Sequence, residues 1–493
     1  MFSVSHIGAE DQQGWIIQKY GGTSVGTANR IQQIVEIVKN SMVSNHIGLV
    51  CSAMSPTEKI KGTTSLLLKA VNAVNVGGDY KIFVEEVRQY HINEASLALA
   101  DSKYLTEALS YINGCCNKLT EFLEALDIIS EVSPISKDAV ISFGERLSCK
   151  IVSLVLQNNG IPSVYIGLES LIDRPKKSKQ TPILNQQFYD KTSKLMAQLI
   201  YDKCSALGYP SKKVVPVVTG YFGIVPGSLL SAIGRGYSDL CAALLAAGLM
   251  AEELQIWKEV DGIFSADPRK IKSATLVMEI TPDEAAELTY YGSEVIHPFT
   301  MDQVIRNAIP IRIKNTFNPG GCGTVIVPEG SPKSPTLLRS KGPTAVTIKD
   351  NIILMNIRSN QKSSAHGFLS RIFHILDTYQ ITVDLISTSQ VHVTLAIPED
   401  PEMDLPKLTE ELECLGHVTV SHKQCILSVV GKQMKRSIGV AGQMFNRLAD
   451  SGTNIEMISQ GASEINISCV VHESDAIKAL TATHELISKQ IKD

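Results

Sequence analysis

From Trp15 to about Val327 the chain alternates short, continuously apolar runs with longer segments in which apolar positions recur every three to four residues. Runs such as 47–51, 214–219 and 254–260 lack polar alternation, the pattern of strands covered on both faces. Segments 29–39, 144–157 and 238–249 carry the helical period between them. This β, α, β succession predicts an α/β domain over residues 14–328, a mainly parallel sheet layered between helices. Residues 329–344, EGSPKSPTLLRSKGPT, break the pattern, and Pro, Ser, Gly and Lys without an apolar period predict an exposed linker.

Beyond the linker the chain repeats itself. GFLSRIFHILDTYQITVDLIS, 367–387, lies over GVAGQMFNRLADSGTNIEMIS, 439–459, at an offset of 459 − 387 = 72 residues, so that Phe373 meets Phe445, Leu376 meets Leu448 and Ile386 meets Ile458. Each copy predicts an amphipathic helix, a turn and a strand, then a second strand at 391–397 or 465–471. Two small α+β modules are expected, over 345–424 and 425–493. Two units are too few for a solenoid, and paired small sheets suit a binding or dimerising role.

Composition narrows the function. The 493 residues suit two to four domains, and 46 basic against 50 acidic residues leave a formal charge of -4, which excludes a surface that grips nucleic acid along its length. Ten cysteines without a CxxC pair fit reduced thiols in a cytoplasmic protein. The first residues lack the basic start and apolar stretch of a signal peptide, and the longest apolar run, 241–251, is too short to cross a bilayer.

Five segments could carry chemistry. KYGGTSVG, 19–26, ends an apolar run in a cation and paired glycines, which can bring backbone N–H groups, one ammonium and a helix N-terminus against a phosphate. Because the lysine precedes the glycines, the segment matches neither GxxxxGK[ST] nor GxGxxG; the plain alternative is a tight strand–helix turn. In FGERLS, 143–148, Glu145 is expected in the first turn of a helix following a strand at 139–142, either as a partner for the helix dipole or as an acceptor for a substrate ammonium. GRGYSD, 234–239, sets Arg235 between glycines, where a guanidinium can fork onto a carboxylate, and Ser238 with Asp239 is expected to cap the next helix. In LQIWKEVDGIFSADPRK, 254–270, a buried strand runs into a charged loop, where Arg269 could meet phosphate oxygens or simply face solvent. YYGSEVIHP, 290–298, places His297 before a proline, more often a structural histidine than a catalyst.

Taken in order, these segments resemble the aspartate kinases of the amino-acid kinase family. The repeated modules resemble the paired ACT domains that follow the catalytic domain there, and WKEVDGIF and YYGSEVIHPFTM look most like the fungal branch. The resemblance implies phosphorylation of the β-carboxylate of L-aspartate by ATP with Mg2+, yielding 4-phospho-L-aspartate and ADP. It implies that Lys19, Gly21, Gly22 and Thr23 form the phosphate turn, with Lys19, Arg235 and Asp239 catalytic. Glu145 is implied as ligand for the aspartate ammonium, Arg235 for its α-carboxylate, and Ser52, Thr63, Thr64 and Ser238 as further substrate contacts. Lys258, Glu259, Phe264, Arg269, Glu294 and Val295 match nucleotide-side positions, and His297 is given a possible ordering role. Metal ligands are not assigned.

For the modules the resemblance implies feedback control, with effector contacts at His366, Gly367, Asp384, Ser387, Thr388 and Ser389, threonine expected ahead of lysine, and assembly of copies through the ACT region. The first module is expected to be completed by strands from the C-terminal end. A single activity without a fused homoserine dehydrogenase is expected, because the chain ends just past the second module. Two alternatives stand beside this reading. One is a kinase of the same fold acting on another acceptor, and the other is an amino-acid sensor without turnover.

Overall fold

The computed structural model describes residues 14–56, 61–100, 102–172, 184–210, 212–225, 227–291, 296–328, 342–359, 367–401, 403–434, 437–461 and 465–490. By its internal packing the chain divides into two units: residues 1–262 with 296–331, and residues 263–295 with 332–493.

The first unit is built on a sheet whose strands are β1 (Trp15–Tyr20), β2 (His46–Cys51), β3 (Ser163–Ile166), β4 (Val215–Thr219) and β5 (Glu253–Lys258). After β6 (Glu279–Ile280), which belongs to the second unit, come β7 (Ile311–Asn315) and β8 (Thr324–Ile326). The order is β3-β4-β2-β1-β5-β7-β8, parallel throughout except for the antiparallel β7–β8 edge. Every residue of β2 and β4 is buried, which explains their unbroken apolar runs.

Helices α1 (Ala28–Ser41), α2 (Thr63–Asn75), α3 (Lys81–Ala98), α4 (Lys103–Ile129) and α5 (Pro134–Asn158) share one core with β2 and β4. Helix α6 (Gln186–Ser205) is followed by the short α7 (Leu229–Ile233) and by α8 (Tyr237–Gly248), which packs on β1, β2 and β5. The strand expected at 139–142 is instead part of α5. That stretch is buried almost all round, at Asp138, Val140, Ile141, Ser142 and Phe143, so it shows no amphipathic period and resembles a buried strand.

The second unit contains α9 (Pro282–Tyr290); α10 (Pro298–Ile305) returns to the first. The remaining strands are β9 (Ala345–Ser359), β10 (Leu385–Thr388), β11 (His392–Pro398), β12 (Gly416–Val430), β13 (Met457–Gln460) and β14 (Asn466–His472). They form one six-stranded sheet ordered β10-β11-β9-β12-β14-β13, antiparallel in every pairing. Helices α11 (Phe368–Thr378), α12 (Leu405–Glu413), α13 (Val440–Asp450) and α14 (Ala476–Gln490) complete the two modules.

The modules are not consecutive blocks. Ile353, Met355 and Ile357 of β9 and Val418 of β12 join the core of the first, whereas Val346, Ile348, Leu427 and Val429 of the same strands join the second. The expected boundary at 424/425 therefore falls inside β12. It is the second module that borrows a strand from outside its own span, from the N-terminal half of β9. Between the halves lie register shifts around Gln424, and Asn351 is left-handed at φ 59.

Residues 263–291, expected within the first domain, pack with the second unit. Ala266 and Ile271 enter the core with Val346 and Leu427. Glu284, 2% exposed, accepts from the Thr281 N–H and hydroxyl at 2.9 and 2.7 Å through one oxygen. Its other oxygen accepts from the Thr344 hydroxyl and Lys432 N–H, both at 2.7 Å. The expected linker lies outside the described residues except for 342–344. Among the described residues no helix is long and apolar enough to cross a membrane.

Candidate active site

The residues singled out in the first unit converge at the carboxyl ends of β1, β2, β4 and β5, where open α/β sheets place ligands. Lys19, on β1 and 7% exposed, lies 2.6 Å from the Asp239 carboxylate. The Ser52 hydroxyl, just past β2, lies 2.9 Å from that of Ser238. Gly220, just past β4, is obligatory because a Cβ there would lie 2.5 Å from the Ser238 Cβ and 2.9 Å from Glu145 Oε1. Ser238 and Asp239 were expected to cap the helix, but Gly236 is the N-cap of α8 and no side chain bonds there. Both lie instead in its first turn, turned to long-range partners: Lys19 and Ser52. The backbone of Arg235 forms a 3-10 turn, Gly234–Gly236, whereas its side chain lies outside the described residues.

Glu145 sits in the middle of α5 instead of in a first turn, and is 1% exposed. Its Oε2 accepts from the Tyr221 N–H at 2.6 Å, and it accepts from the Tyr237 hydroxyl. Burial pushes its carboxyl up to about 7, against the opposing pull of those two donors, the Lys19 ammonium and the Gly220 N–H. Neither Tyr221 nor Tyr237 was picked out from the sequence, although Tyr237 stands inside GRGYSD. Thr63 begins α2, fully buried with its hydroxyl unbonded, and Thr64 follows it half-buried. The Ser148 hydroxyl donates to the Ser52 carbonyl at 2.7 Å, so α5 holds the end of β2 as well.

The glycine turn is shaped for close approach. A Cβ on Gly22 would lie 2.5 Å from the Ala53 carbonyl oxygen and one on Gly26 only 1.9 Å from that of Ser55, whereas the space where Gly21 lacks a Cβ is open. Among the described residues no backbone acceptor bonds the N–H of Gly22 or Thr23. The N-terminus of α1 is already occupied, since Ala28 N–H donates to Glu94 at 2.7 Å and Thr27 accepts from Arg30 N–H. An anion is therefore offered the turn and Lys19 in place of the helix end. Arg30, missed in the sequence, donates to the Thr23 carbonyl at 2.8 Å and lies over the Phe317 ring at 5.6 Å.

Lys258, half-buried, ends β5, and Glu259 follows it exposed. Phe264 bridges to Leu276 in the second unit. Arg269 there is bound by Asp267 through Nε at 3.0 Å and Nη2 at 2.9 Å. Glu294 and Val295 lie outside the described residues. His297 is the N-cap of α10, its Nδ1 accepting from the Phe299 N–H at 3.3 Å, and its Cβ would lie 3.9 Å from a Cβ placed on Gly236.

Of the effector candidates, His366 lies outside the described residues. Gly367, left-handed at φ 75, is the N-cap of α11. Asp384 accepts from the Lys349 ammonium through both oxygens, at 2.7 and 2.8 Å. Ser387 and Thr388 are exposed on the sheet edge β10, and Ser389 closes the turn to β11 with its hydroxyl accepting from the His392 N–H.

Two family models match: the amino acid kinase family over residues 14–315 and the ACT domain over 427–486. The chain is 47% identical to the aspartokinase of Schizosaccharomyces pombe over 98% of its own length and 95% of that protein. Among solved structures, aspartokinase III of E. coli in complex with aspartate and ADP matches with a TM-score of 0.73 at 25% identity. That match covers 95% of this chain and 99% of that one. The same enzyme in complex with lysine and aspartate matches at 0.74 and 26% identity over 96% and 99%.

The raised Glu145 carboxyl makes a pH-dependent contribution to stability. An acid with a higher pKa folded than unfolded favours the folded state at low pH, and that contribution is lost as pH rises through about 7. Glu145→Gln removes the effect. Between pH 5.5 and 8 the variant should therefore gain about 2 kcal/mol relative to wild type in urea unfolding. Parallel pH dependence in the two proteins would contradict the assignment.

Proposed function

Because the chain belongs to the amino acid kinase family and, within it, to the aspartokinases, we propose that it transfers the γ-phosphoryl group of ATP to the β-carboxylate of L-aspartate. The observation that carries this reading is the convergence of Lys19 and the buried, ammonium-ready Glu145 at adjoining strand ends. An ionised carboxylate, with a reference pKa of about 3.9, needs no general base. One of its oxygens bonds to the γ-phosphorus as the bond to the bridging β–γ oxygen breaks, ADP leaves, and no proton moves.

The difficulty is bringing two anions together, and the residues are disposed to relieve it. Lys19 leaves Asp239 for the phosphate oxygens and balances charge on the group in transfer. The Gly22 and Thr23 N–H groups receive phosphate oxygens across the open ground at Gly21. Glu145 takes the aspartate ammonium, Arg235 its α-carboxylate, and Ser52 and Ser238 line the floor between. Lys258 and Glu259 flank the nucleotide. Magnesium, brought with the nucleotide, would supply further charge neutralisation. Among the described residues no three His, Cys, Asp or Glu side chains gather as a ready-made cation cage.

The product, an acyl phosphate, opens amino-acid synthesis from aspartate toward threonine and methionine, which fits control by an end product through the ACT modules. The Lys349–Asp384 pair favours threonine over lysine as effector. Asp384 already holds an ammonium, so a second one must displace it, whereas a neutral side chain need not. Leu369 and Phe373 on α11 and Ile386 and Val391 at the β10 edge are each more than a third exposed, which suits a second copy of the chain there. The ten cysteines, none of them in a disulfide among the described residues, suit a reducing compartment such as the cytoplasm.

Lys19→Ala should lower kcat with aspartate and MgATP by about a thousandfold or more while leaving the thermal unfolding cooperative. Near-normal kcat would sink the role of Lys19, and a wild-type protein that binds threonine but releases no ADP would favour the sensor alternative. Lys349→Met should raise the potency of lysine relative to threonine by about tenfold. An unchanged ratio in rate assays would remove Lys349 from effector choice.

A further inference from the structure

Helix α5 carries a second buried carboxylate that the reaction does not use. Asp138 stands seven residues before Glu145, two helical turns, so the two acids lie on one face of α5. It is 6% exposed, and its donors all come from one short stretch of the segment between β4 and α8. Oδ1 accepts from the Ser228 hydroxyl at 2.8 Å and the Leu230 N–H at 3.3 Å, and Oδ2 from the Leu229 N–H at 2.5 Å.

The path of that segment is defined by the two acids. It leaves β4 beside Glu145, which bonds the Tyr221 N–H, and reaches Asp138 at 228–230. It then returns through α7 and the Gly234–Gly236 turn to Glu145, which receives the Tyr237 hydroxyl. Ser228 is left-handed at φ 81, a conformation that costs any residue with a Cβ and persists only where surrounding bonds enforce it. Asp138 supplies those bonds, and Ser228 in turn caps α7 by accepting from the Ser231 N–H at 3.2 Å.

We infer that Asp138 is a positioning residue for the amino-acid substrate: by fixing 228–230 it sets where the following turn presents Arg235. The inference rests on the proposed role of Arg235 toward the substrate α-carboxylate. Bonds from backbone N–H groups to a full carboxylate are the stronger kind, and an amide of the same shape would turn an NH2 toward at least one donor. The turn would then loosen without removal of Lys19, Asp239 or the phosphate cradle.

The test is steady-state kinetics of the full chain, varying aspartate and MgATP separately, for wild type, Asp138→Asn and Ser228→Ala. Asp138→Asn should raise the KM for aspartate by about tenfold or more, with kcat and the KM for ATP within about twofold. Ser228→Ala should move the same constant in the same direction by less. A purely structural role would lower the active fraction, and hence apparent kcat, with both KM values unchanged; that result, or equal movement of both KM values, overturns the inference. Should Asp138→Asn fail to fold, an unchanged aspartate KM in Ser228→Ala overturns it alone. A wild-type chain inactive on aspartate would overturn the functional reading and this inference together, whereas an active one with unmoved aspartate KM overturns only the inference.

Discussion

The burial of the Glu145 carboxylate constrains the rest of the first unit. A carboxylate at 1% exposure is costly to ionise, and it is tolerated because donors reach it from Tyr221 and Tyr237 with the Lys19 charge close by. Those requirements fix the surroundings. Position 220 must lack a side chain, the segment after β4 must leave and return along α5, and β1 must end in a cation. The uncompensated remainder of the burial cost is what the proposed substrate ammonium would relieve at Glu145.

At the proposed phosphate turn the problem is reversed, because phosphate would bring negative charge. The turn after β1 answers with open N–H groups and an absent side chain, while the N-terminus of α1 is already bonded to Thr27 and Glu94. Lys19 thus stands between an anion it holds at rest, Asp239, and the anion it is proposed to meet in turnover. The arrangement keeps a cation oriented and largely dehydrated without a new side chain having to arrive during the reaction.

What was legible in the sequence was local. KYGGTSVG could be read as strand, turn and helix because an apolar run and its glycines are contiguous, and the 72-residue repeat survives as two real modules. What misled was anything whose cause lies far along the chain. Residues 139–142 resembled a strand because a helix buried all round has no polar stripe. Ser238 looked like a cap because its true partner, Ser52, is 186 positions away. The sharing of β9 and β12 by both modules, and the burial of Ala266 and Ile271 beside Val346, follow from sheet order, which periodicity does not encode.

The most direct test of the account is the proton balance of aspartate binding, measured by calorimetry in buffers of different ionisation enthalpy. If Glu145 titrates near 7 when free and receives the substrate ammonium, binding lowers its pKa and expels its proton. About half a proton should be released at pH 7 and almost none near pH 9, with the release absent in Glu145→Gln. Binding of aspartate with no buffer dependence at pH 7, or with uptake of protons, would contradict the account.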